Sequence, residues 1–424
     1  MSLEVTPVGV ACNLACTYCY ENPMREAGNQ SPAYDLDAIK ATLTKKNYEF
    51  TLFGGEPLLM KFEDLKDLLE WGFQRHGRTG IQTNGSLITE AHLEVFARCK
   101  THVGLSIDGP GELNDARIAH GGDLARTRDA TQRSLTALFH LLETKHPCSL
   151  IITLSRMNAS RERLPQLVSW LRELDRCGLK TARLHLLEVD HAQVREHLML
   201  TEDENVHALL TMMRLQDELK TLRFDLFREM AKLLLIPGYT QASCVWNGCD
   251  PLTTPAVQAV NGHGGLSNCS RTNKDGLDWV KAEQGQGERY LILHSTPQEH
   301  GGCKDCRFFF ACKGQCPGTA IDGDWRNRSE QCRVWYRLFE TIEKQLTTLG
   351  KSPVSLNDRA REAAESALLQ QWAGPQYNQM HREHGDHWDA PDGYQHTDAG
   401  FEVHGDNGMT LTHGDVPHED HVDA

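Results

Sequence analysis

Long hydrophobic runs are missing from this sequence of 424 residues. No stretch approaches the roughly 18 to 20 apolar residues that a membrane-spanning helix needs. The start, MSLEVTPVGV, has neither the basic segment nor the apolar segment of a secretory signal peptide. A basic excess is also missing, because the net charge is −14 and no basic tail is present. We therefore expect a cytoplasmic protein of two or three domains that binds neither nucleic acid nor membrane.

Cysteine, by contrast, is abundant, with 14 residues. A cytoplasmic chain has little use for structural disulfides, so clustered thiols predict metal ligation or catalysis. Eleven of the cysteines fall into two groups, one at positions 12, 16 and 19 and the other between positions 244 and 332. Cys99, Cys148 and Cys177 stand alone. The two groups therefore mark where we expect the chemistry of the chain.

The first 190 residues alternate strand-like runs with amphipathic helical patterns. The strand-like runs are 5–10, 49–53, 79–83, 102–107, 149–154 and 181–187. The helical patterns are 35–46, 63–75, 90–98, 129–145 and 161–176, followed by a sixth helical stretch at 202–235. Six such units predict a parallel sheet, either doubly wound or an incomplete barrel. In both folds chemistry collects where the strands end, which is where the motifs below lie.

From about Pro237 the periodicity fades while glycine and cysteine become more frequent. Such a region buries little apolar surface, so we expect metal ligation to hold it together. A further helix is predicted over residues 334–347. After Trp372 the chain is poor in apolar residues, and its last 44 residues contain eight of the 21 histidines. We expect this tail to be disordered in isolation, with transient metal binding or partner docking as alternatives.

Cys12, Cys16 and Cys19 form a C-x3-C-x2-C motif on the loop after the first strand. A 4Fe–4S cluster normally takes four thiolates, so three leave one iron open for chemistry. A zinc loop is the alternative, but no fourth Cys or His follows nearby. With Tyr18 before its last cysteine, the motif resembles the signature of radical S-adenosylmethionine (SAM) enzymes. The resemblance implies that SAM chelates the open iron and is cleaved to a 5′-deoxyadenosyl radical, which abstracts a substrate hydrogen.

Other motifs share this resemblance. Gly54-Gly55-Glu56-Pro57, after the second strand, matches the family's GGEP motif, which implies that Glu56 or the carbonyls beside it accept from the SAM ammonium. Ser106 and Asp108, at the end of the fourth strand, are expected at the SAM ribose or carboxylate. Asp108 is alternatively part of an ordinary turn.

Two further segments are candidates with an open alternative. Asn114-Asp115-Ala116-Arg117 resembles the HD-x-x-R stretch of peptide-modifying members, with asparagine in place of histidine. Arg117 then either pairs a carboxylate or caps a surface loop. Thr83-Asn84-Gly85 closes the third strand, and either lines the site or forms a simple turn.

The second cysteine group resembles the seven-cysteine SPASM extension. Its spacing is C-x2-C-x5-C-x3-C, and Cys244 adds an eighth thiol, which completes the number needed for two 4Fe–4S clusters. By analogy with the family, the nearer auxiliary cluster takes Cys244, Cys249, Cys269 and Cys316. The farther cluster takes Cys303, Cys306, Cys312 and Cys332. A pair of zinc knuckles is the alternative.

The resemblance implies a partial (β/α)6 TIM-like barrel followed by a small cysteine-rich α+β domain. We expect a radical SAM core at 1–236, a SPASM auxiliary domain at 237–348, and a helix and tail at 349–424. The cofactors would be SAM and three 4Fe–4S clusters, one binding SAM and two auxiliary. An external electron donor of the flavodoxin or ferredoxin type is expected.

SPASM members mostly modify peptides or proteins, so we expect a peptide maturase that forms a crosslink or a similar oxidative modification. No module for a leader peptide precedes the first strand, which favours a separate recognition protein or direct binding by the core. The alternatives are a sulfatase-maturing enzyme, a SPASM dehydrogenase of a small alcohol or sugar, and a non-catalytic zinc or iron–sulfur scaffold.

The sulfatase alternative makes a local prediction about the catalytic group. Sulfatase-maturing members place a catalytic Asp directly after the third cysteine of the nearer auxiliary cluster. This chain has Ser270 there, and serine is a poor proton acceptor at neutral pH. Asp250 or Asp275 could substitute. The catalytic candidates are therefore Arg117, Ser270 and Asp250.

Overall fold

A computed structural model describes residues 2–28, 32–189, 191–251, 258–272 and 287–383, and the backbone of 394–397, 400–404 and 410–411. Side chains are described as far as Ala373. The chain divides into two compact units. The first contains Met1–Leu226 and Val257–Lys281, and the second contains Phe227–Ala256 and Ala282–Asp423.

Nine strands of the first unit, counted over the described residues, form one sheet in the order β7-β6-β5-β4-β3-β2-β1-β8-β9. They are β1 (Ser2–Thr6), β2 (Glu49–Leu52), β3 (Thr79–Thr83), β4 (Thr101–Ser106), β5 (Cys148–Leu154), β6 (Thr181–Leu186), β7 (Arg223–Phe224), β8 (Ala259–Asn261) and β9 (Leu266–Ser267).

Strands β1 to β7 follow one another across the sheet in chain order, and every neighbouring pair is parallel. Strand β8 adds to the other side of β1 in parallel, and β9 pairs with β8 in antiparallel. A doubly wound sheet would reverse its order within the series of strand–helix units, whereas β1 to β7 keep one direction. In the described part of the chain no pairing joins β7 to β9, so the sheet is open. The predicted α/β fold with a partial barrel is confirmed.

Helices alternate with the strands of the first unit. They are α1 (Asn22–Glu26), α2 (Leu36–Lys46), α3 (Phe62–His76), α4 (Glu90–Arg98), α5 (Leu124–Glu143), α6 (Arg156–Ala159), α7 (Leu164–Arg176), α8 (Ala192–His197) and α9 (Glu202–Glu218). α10 (Asp225–Leu235) begins in this unit. Several begin at capping side chains: Asp35 accepts from the Ala38 N–H, and Thr201 forms a capping box with Glu204.

The single helix predicted over residues 202–235 is wrong, because the structure divides it into α9, β7 and α10. The carboxylate of Asp175, at the end of α7, accepts the backbone N–H groups of Lys220, Thr221 and Leu222. These bonds hold the backbone out of the helix and turn it into β7. The partner is 45 or more residues away, so the local pattern could not show the break.

Strand β1 also ends earlier than predicted. Pro7 has no N–H to donate, and the Gly9 N–H donates to the Thr6 carbonyl at 3.1 Å, which starts a turn. The loop that carries the first cysteines therefore begins at residue 7.

The described cysteine-rich part of the second unit is mainly helical. Its helices are α11 (Glu288–Ser295), α12 (Phe309–Cys312), α13 (Cys332–Thr348) and α14 (Asp358–Glu383). Aromatic rings form its core: the Trp246 ring lies 5.6 Å from Trp335 and 5.5 Å from Phe339, and Tyr290 lies 4.0 Å from Trp372. α13 agrees with the predicted helix at 334–347.

Three short tail segments pair in antiparallel, namely β10 (Tyr394–Thr397), β11 (Gly400–His404) and β12 (Thr410–Leu411). The prediction of disorder applied to the whole chain after Trp372. Beyond α14 and these three segments, that part of the chain lies outside the described residues, so the prediction is not tested. No helix among the described residues is long and apolar enough to span a bilayer.

Candidate active site

The loop after β1 carries Cys12, Cys16 and Cys19, all partly buried. Burial raises the pKa of each thiol, that of Cys16 to about 12; a neighbouring thiol adds to the effect at Cys12 and Cys16, and Glu21 adds to it at Cys19. The Leu14 N–H donates to the Cys12 sulfur at 3.4 Å, as amides do to metal-bound thiolates. The loop thus gathers three thiols that need nearby positive charge, such as metal ions, to ionise.

The loop after β4 lies along this cysteine loop. The Ala15 N–H donates to the Ile118 carbonyl at 2.8 Å, and the Thr17 N–H donates to the Ala116 carbonyl at 3.0 Å. These bonds make an antiparallel ribbon, with a bridge between Leu14 and Ala119. The Asn114–Arg117 stretch therefore lies next to the cysteines.

The GGEP segment also contacts the cysteine loop. The Gly55 N–H donates to the Gly9 carbonyl and the Glu56 N–H to the Ala11 carbonyl, both at 2.9 Å. A Cβ on Gly55 would lie 2.1 Å from the Ala11 oxygen, and Gly54 has a φ of +111°. Only glycines allow this close approach, which fixes the backbone directly before Cys12.

The side chain of Glu56 is fully buried and already has three donors. It accepts from the Thr83 hydroxyl at 2.7 Å, the Asn84 N–H at 2.9 Å and the Leu58 N–H at 3.1 Å. Burial raises the pKa of Glu56 to about 7, although these bonds oppose the shift. Pro57 follows as the first residue of a short 3-10 helix. Glu56 therefore joins the ends of β2 and β3, and the backbone carbonyls remain as acceptors for a ligand.

The turn after β3 reaches the cysteine loop. The Asn84 amide donates to the Asn13 side chain at 2.9 Å and lies 4.0 Å from the Cys12 sulfur. The segment Thr83-Asn84-Gly85 is therefore a turn whose asparagine contacts the cysteine loop.

Asp108 is buried, with 1% of its surface exposed. Its carboxylate accepts from Arg117 at 3.1 Å, from the Thr153 N–H at 2.9 Å and from the Tyr18 hydroxyl. Ser106 accepts from the Gln82 amide at 2.8 Å. Asp108 thereby connects the motif tyrosine of the cysteine loop to β5.

Of the two alternatives for Arg117, pairing a carboxylate or capping a surface loop, the structure shows the first: Arg117 pairs with Asp108 at 3.1 Å. It is 9% exposed, and its guanidinium lies 5.7 Å from the centre of the Tyr18 ring. It opposes the burial that raises the pKa of Cys16, so its charge lies near that thiol. Among the described residues, no acceptor bonds its buried Nε atom. A ligand carboxylate would find a donor there.

Arg25, on α1, was not predicted from the sequence. Its Nε donates to the Val10 carbonyl at 2.9 Å, and its terminal nitrogens donate to Asn22 at 2.7 Å and Glu21 at 3.4 Å. Its charge opposes the burial that raises the pKa values of the thiols at 12, 16 and 19. In the sequence, the one indication of this position was that Arg25 follows Cys19 closely.

Ser270 and Arg271 belong to the first unit and meet residues from the cysteine loop and β6. Burial raises the pKa of Glu21 to about 7, while Arg25 and then Ser270 favour its ionised form. Arg271 pairs with Glu188 at 2.6 Å and lies 5.4 Å from the centre of the Tyr20 ring. Position 270 itself has no carboxyl group, but the Glu21 carboxyl group lies beside it and hydrogen-bonds Ser270. Asp275 lies outside the described residues.

The four thiols assigned to the farther auxiliary cluster come together in the second unit. Burial, with a smaller contribution from Cys332, raises the pKa of Cys306 to about 11. Burial also raises the pKa values of Cys303 and Cys312, and each of these thiols is affected by Cys306 and Cys332. The mutual influence places the four within electrostatic range of one another.

Of the thiols assigned to the nearer cluster, Cys244, Cys249 and Cys316 belong to the second unit and Cys269 to the first. The buried Arg289 guanidinium donates to the Gln315 carbonyl at 2.9 Å and the Cys249 carbonyl at 3.4 Å. Asp250 is fully buried and accepts the Arg289 N–H at 3.1 Å. Asp250 therefore supports the start of α11.

Within the described residues no three Cys, His, Asp or Glu side chains converge where one metal ion would bind. A 4Fe–4S cluster does not need such convergence, because each thiolate binds a different iron. The buried thiols and the amide donor on Cys12 fit such a cluster beside Cys12, Cys16 and Cys19.

The profile of the Radical SAM superfamily matches residues 6–158, which span these cysteines, the GGEP segment, Asp108 and Arg117. This stretch is a radical SAM domain. The solved structure of native anSMEcpe with bound AdoMet matches at 19% identity and a TM-score of 0.60, covering 84% of this chain and 99% of that chain. Streptococcus suis SuiB bound to precursor peptide SuiA matches at 16% identity and a TM-score of 0.50, covering 78% and 75%.

Among curated proteins, the serine-type anaerobic sulfatase-maturating enzyme of Bacteroides thetaiotaomicron is 24% identical over 82% of this chain and 90% of its own length. A cysteine-type anaerobic sulfatase-maturating enzyme of Clostridium perfringens is 30% identical, over 27% of this chain and 35% of its own length. The radical SAM domain is thus supported by its profile, and the fold beyond it by structures that cover most of the chain.

Proposed function

We propose that this chain is a radical SAM/SPASM enzyme that oxidatively modifies a peptide, by forming a crosslink or a similar bond. The observation that carries the proposal is the joint position of the cysteine loop, the GGEP backbone and the Asp108–Arg117 pair. SAM bound at a cluster on Cys12, Cys16 and Cys19 would supply a 5′-deoxyadenosyl radical that takes a hydrogen atom from the substrate.

The chain's own residues would bind and orient SAM. The carbonyls around Gly54–Pro57 would accept from its ammonium group, because three donors already occupy the Glu56 carboxylate. The unbonded Nε of Arg117 would donate to its carboxylate. Ser106 and Asp108 would hold this wall of the site in place, the second through Arg117 and Tyr18.

Two auxiliary 4Fe–4S clusters would carry the electron that the substrate radical must lose. Cys303, Cys306, Cys312 and Cys332 would hold one, and the mutual effect on their pKa values supports this assignment. Cys244, Cys249, Cys269 and Cys316 would hold the other. The corresponding division is a radical SAM core at 1–236, a SPASM domain at 237–348 and a C-terminal helix and tail at 349–424. A flavodoxin or ferredoxin would supply the electron that cleaves SAM.

The peptide substrate is supported by the relatives. SuiB has been solved bound to its precursor peptide, and anSMEcpe has been solved with AdoMet and a peptide. A short reading frame beside the gene would be the first substrate to test. Co-expression followed by high-resolution mass spectrometry would show the modification as a change in mass.

Anaerobic reconstitution tests the proposed chemistry without knowledge of the substrate. About twelve irons per chain are expected, and the reduced protein should convert SAM to 5′-deoxyadenosine. Cys16→Ala should abolish this conversion and retain about eight irons. Cys177→Ala, at an exposed lone cysteine, is the matched control and should change neither. A zinc-loaded protein that leaves SAM intact would instead support the scaffold alternative.

Sulfatase maturation is the second candidate, because Glu21 places a carboxyl group beside Ser270. In that reaction a peptide cysteine or serine becomes formylglycine, and the carboxyl group would accept a proton. Incubation with matched peptides that carry cysteine, serine or alanine at the target position distinguishes the two functions. An aldehyde in the first two peptides would favour this candidate over crosslinking.

A further inference from the structure

We infer that the Arg25–Glu21 ion pair sets the reduction potential of the iron–sulfur cluster held by Cys12, Cys16 and Cys19. The inference deepens the proposed function, since it rests on a cluster at this site. It gives Arg25 and Glu21 a function that no sequence motif indicated.

Three hydrogen bonds hold the guanidinium group of Arg25 in place on α1. Its three guanidinium nitrogens donate to Val10, Asn22 and Glu21, and its side chain is 14% exposed. Val10 precedes the cysteine motif, and the other two residues follow it. The guanidinium thus joins the two ends of the loop and keeps its charge among the thiols.

The charge of Arg25 acts on all three thiols. Its guanidinium hydrogen-bonds the Cys19 side chain and lies within electrostatic range of Cys12 and Cys16, and it carries its positive charge at every accessible pH. Reduction adds an electron to a cluster that thiolates already make negative. A neighbouring cation therefore stabilises the reduced state and raises the potential.

Glu21 opposes that effect. Its side chain is 2% exposed, and its carboxylate lies 3.4 Å from a terminal nitrogen of Arg25. The pair thus places opposite charges at the same end of the loop. Glu21 acts mainly beside Cys19, whereas Arg25 also reaches the Val10 carbonyl before Cys12 at 2.9 Å. Removing either charge should shift the potential, and the two shifts should have opposite signs.

The test uses the full-length, reconstituted protein. The signal to follow is the electron paramagnetic resonance signal that changes when SAM is added, which separates this cluster from the auxiliary clusters. Potentials are compared at a pH well above 7, where the Glu21 carboxyl group is ionised. Arg25→Met removes the positive charge at similar size, Arg25→Lys keeps the charge but loses the planar guanidinium group, and Glu21→Gln removes the opposing charge. Arg126→Met, at an arginine whose side chain is 76% exposed on α5, is the control.

At a fixed potential, Arg25→Met should lower the ratio of reduced to oxidised cluster about tenfold, a shift of about 59 mV for one electron. Arg25→Lys should stay within about threefold of wild type, which is about half of that shift. Glu21→Gln should raise the ratio, and Arg126→Met should leave it unchanged. A structural role alone would not reverse sign between Arg25→Met and Glu21→Gln.

Shifts in the same direction for those two variants, or none in either, would overturn the inference. If Arg25→Met does not retain iron, the other two variants are the test. A reduced fraction that does not rise in Glu21→Gln, or that falls tenfold in Arg25→Lys, would then overturn the inference. A wild-type protein with no SAM-sensitive signal would contradict the proposed function instead, so the two failures are distinguishable.

Discussion

Arg289 offers the sharpest test of how the second unit is held together. Its side chain is fully buried, and its guanidinium donates to the carbonyls of Trp325 at 2.5 Å, Asn327 at 2.8 Å and Gln315 at 2.9 Å. Longer bonds at 3.4 Å reach Cys249 and Gly314. One side chain thus connects three segments: Gly314–Gln315 before Cys316, the loop at 325–327, and Cys249.

Substitution by methionine would keep most of the volume and remove every donor. Each buried carbonyl left without a partner costs about 1–3 kcal/mol. Partial relaxation of the loops reduces the sum, so we expect Arg289→Met to lower the free energy of unfolding by about 3–5 kcal/mol. That is a large part of the roughly 5–15 kcal/mol that stabilises a domain. Arg289→Lys should recover only part of the loss, because an ammonium group lacks the planar fork.

Two measurements check this expectation. Anaerobic urea unfolding of the reconstituted protein should show a lower midpoint in Arg289→Met, and reconstitution should give about four irons instead of about twelve. SAM cleavage should persist, because the cysteine loop of the first unit is unchanged. Arg326→Met, at an exposed arginine that pairs with Asp324 at 2.6 Å, is the control and should match wild type. Wild-type midpoint and iron content in Arg289→Met would refute the reasoning.

Three further predictions concern other contacts. Gly55→Ala should abolish SAM cleavage, because its Cβ would lie 2.1 Å from the Ala11 oxygen, and an active variant would contradict this packing. Gly77→Ala is the control: its φ of +76° costs about 1 kcal/mol of stability, but its Cβ meets nothing within 4 Å, so cleavage should be retained. Asp175→Ala should cost about 2 kcal/mol near neutral pH, as measured by urea unfolding. Burial opposes ionisation of Asp175, but the N–H groups of residues 220–222 lower its pKa from 3.8 to about 2. The advantage of wild type should therefore hold above the unfolded pKa and vanish as the pH falls toward 2, and a constant difference down to that pH would count against it. Cys306→Ala should leave SAM cleavage intact but impair peptide modification; undiminished modification would remove the auxiliary role.

The fold could be predicted from the sequence wherever the deciding interactions are local. The alternation of strand and helix patterns predicted the open parallel sheet, because the two periodicities are properties of short segments. The end of β1 was missed although Pro7 stood in the sequence. The break between α9 and α10 depends on Asp175, which no window around residue 220 contains.

In the candidate site, too, the features that depend on local sequence could be predicted and those that depend on distant partners could not. The spacing of Cys12, Cys16 and Cys19 and the GGEP motif are local, and the structure places them side by side. The partners of Arg117, Arg25 and Arg289 could not be predicted, because a buried arginine and an exposed one look alike in a sequence. Their acceptors are mostly backbone carbonyls or single carboxylates, which leave no pattern of residue types.

Position 270 shows why a single departure from a motif is weak evidence. Serine at that position counted against sulfatase maturation as long as the missing carboxylate had no substitute. Glu21 supplies one from the cysteine loop, 249 residues earlier in the chain. The same carboxylate is the counter-charge of Arg25, so Glu21→Gln affects both proposals and separates them. A shifted potential with normal peptide oxidation would make Glu21 an electrostatic residue, whereas lost oxidation at an unchanged potential would make it the proton acceptor that Ser270 is not.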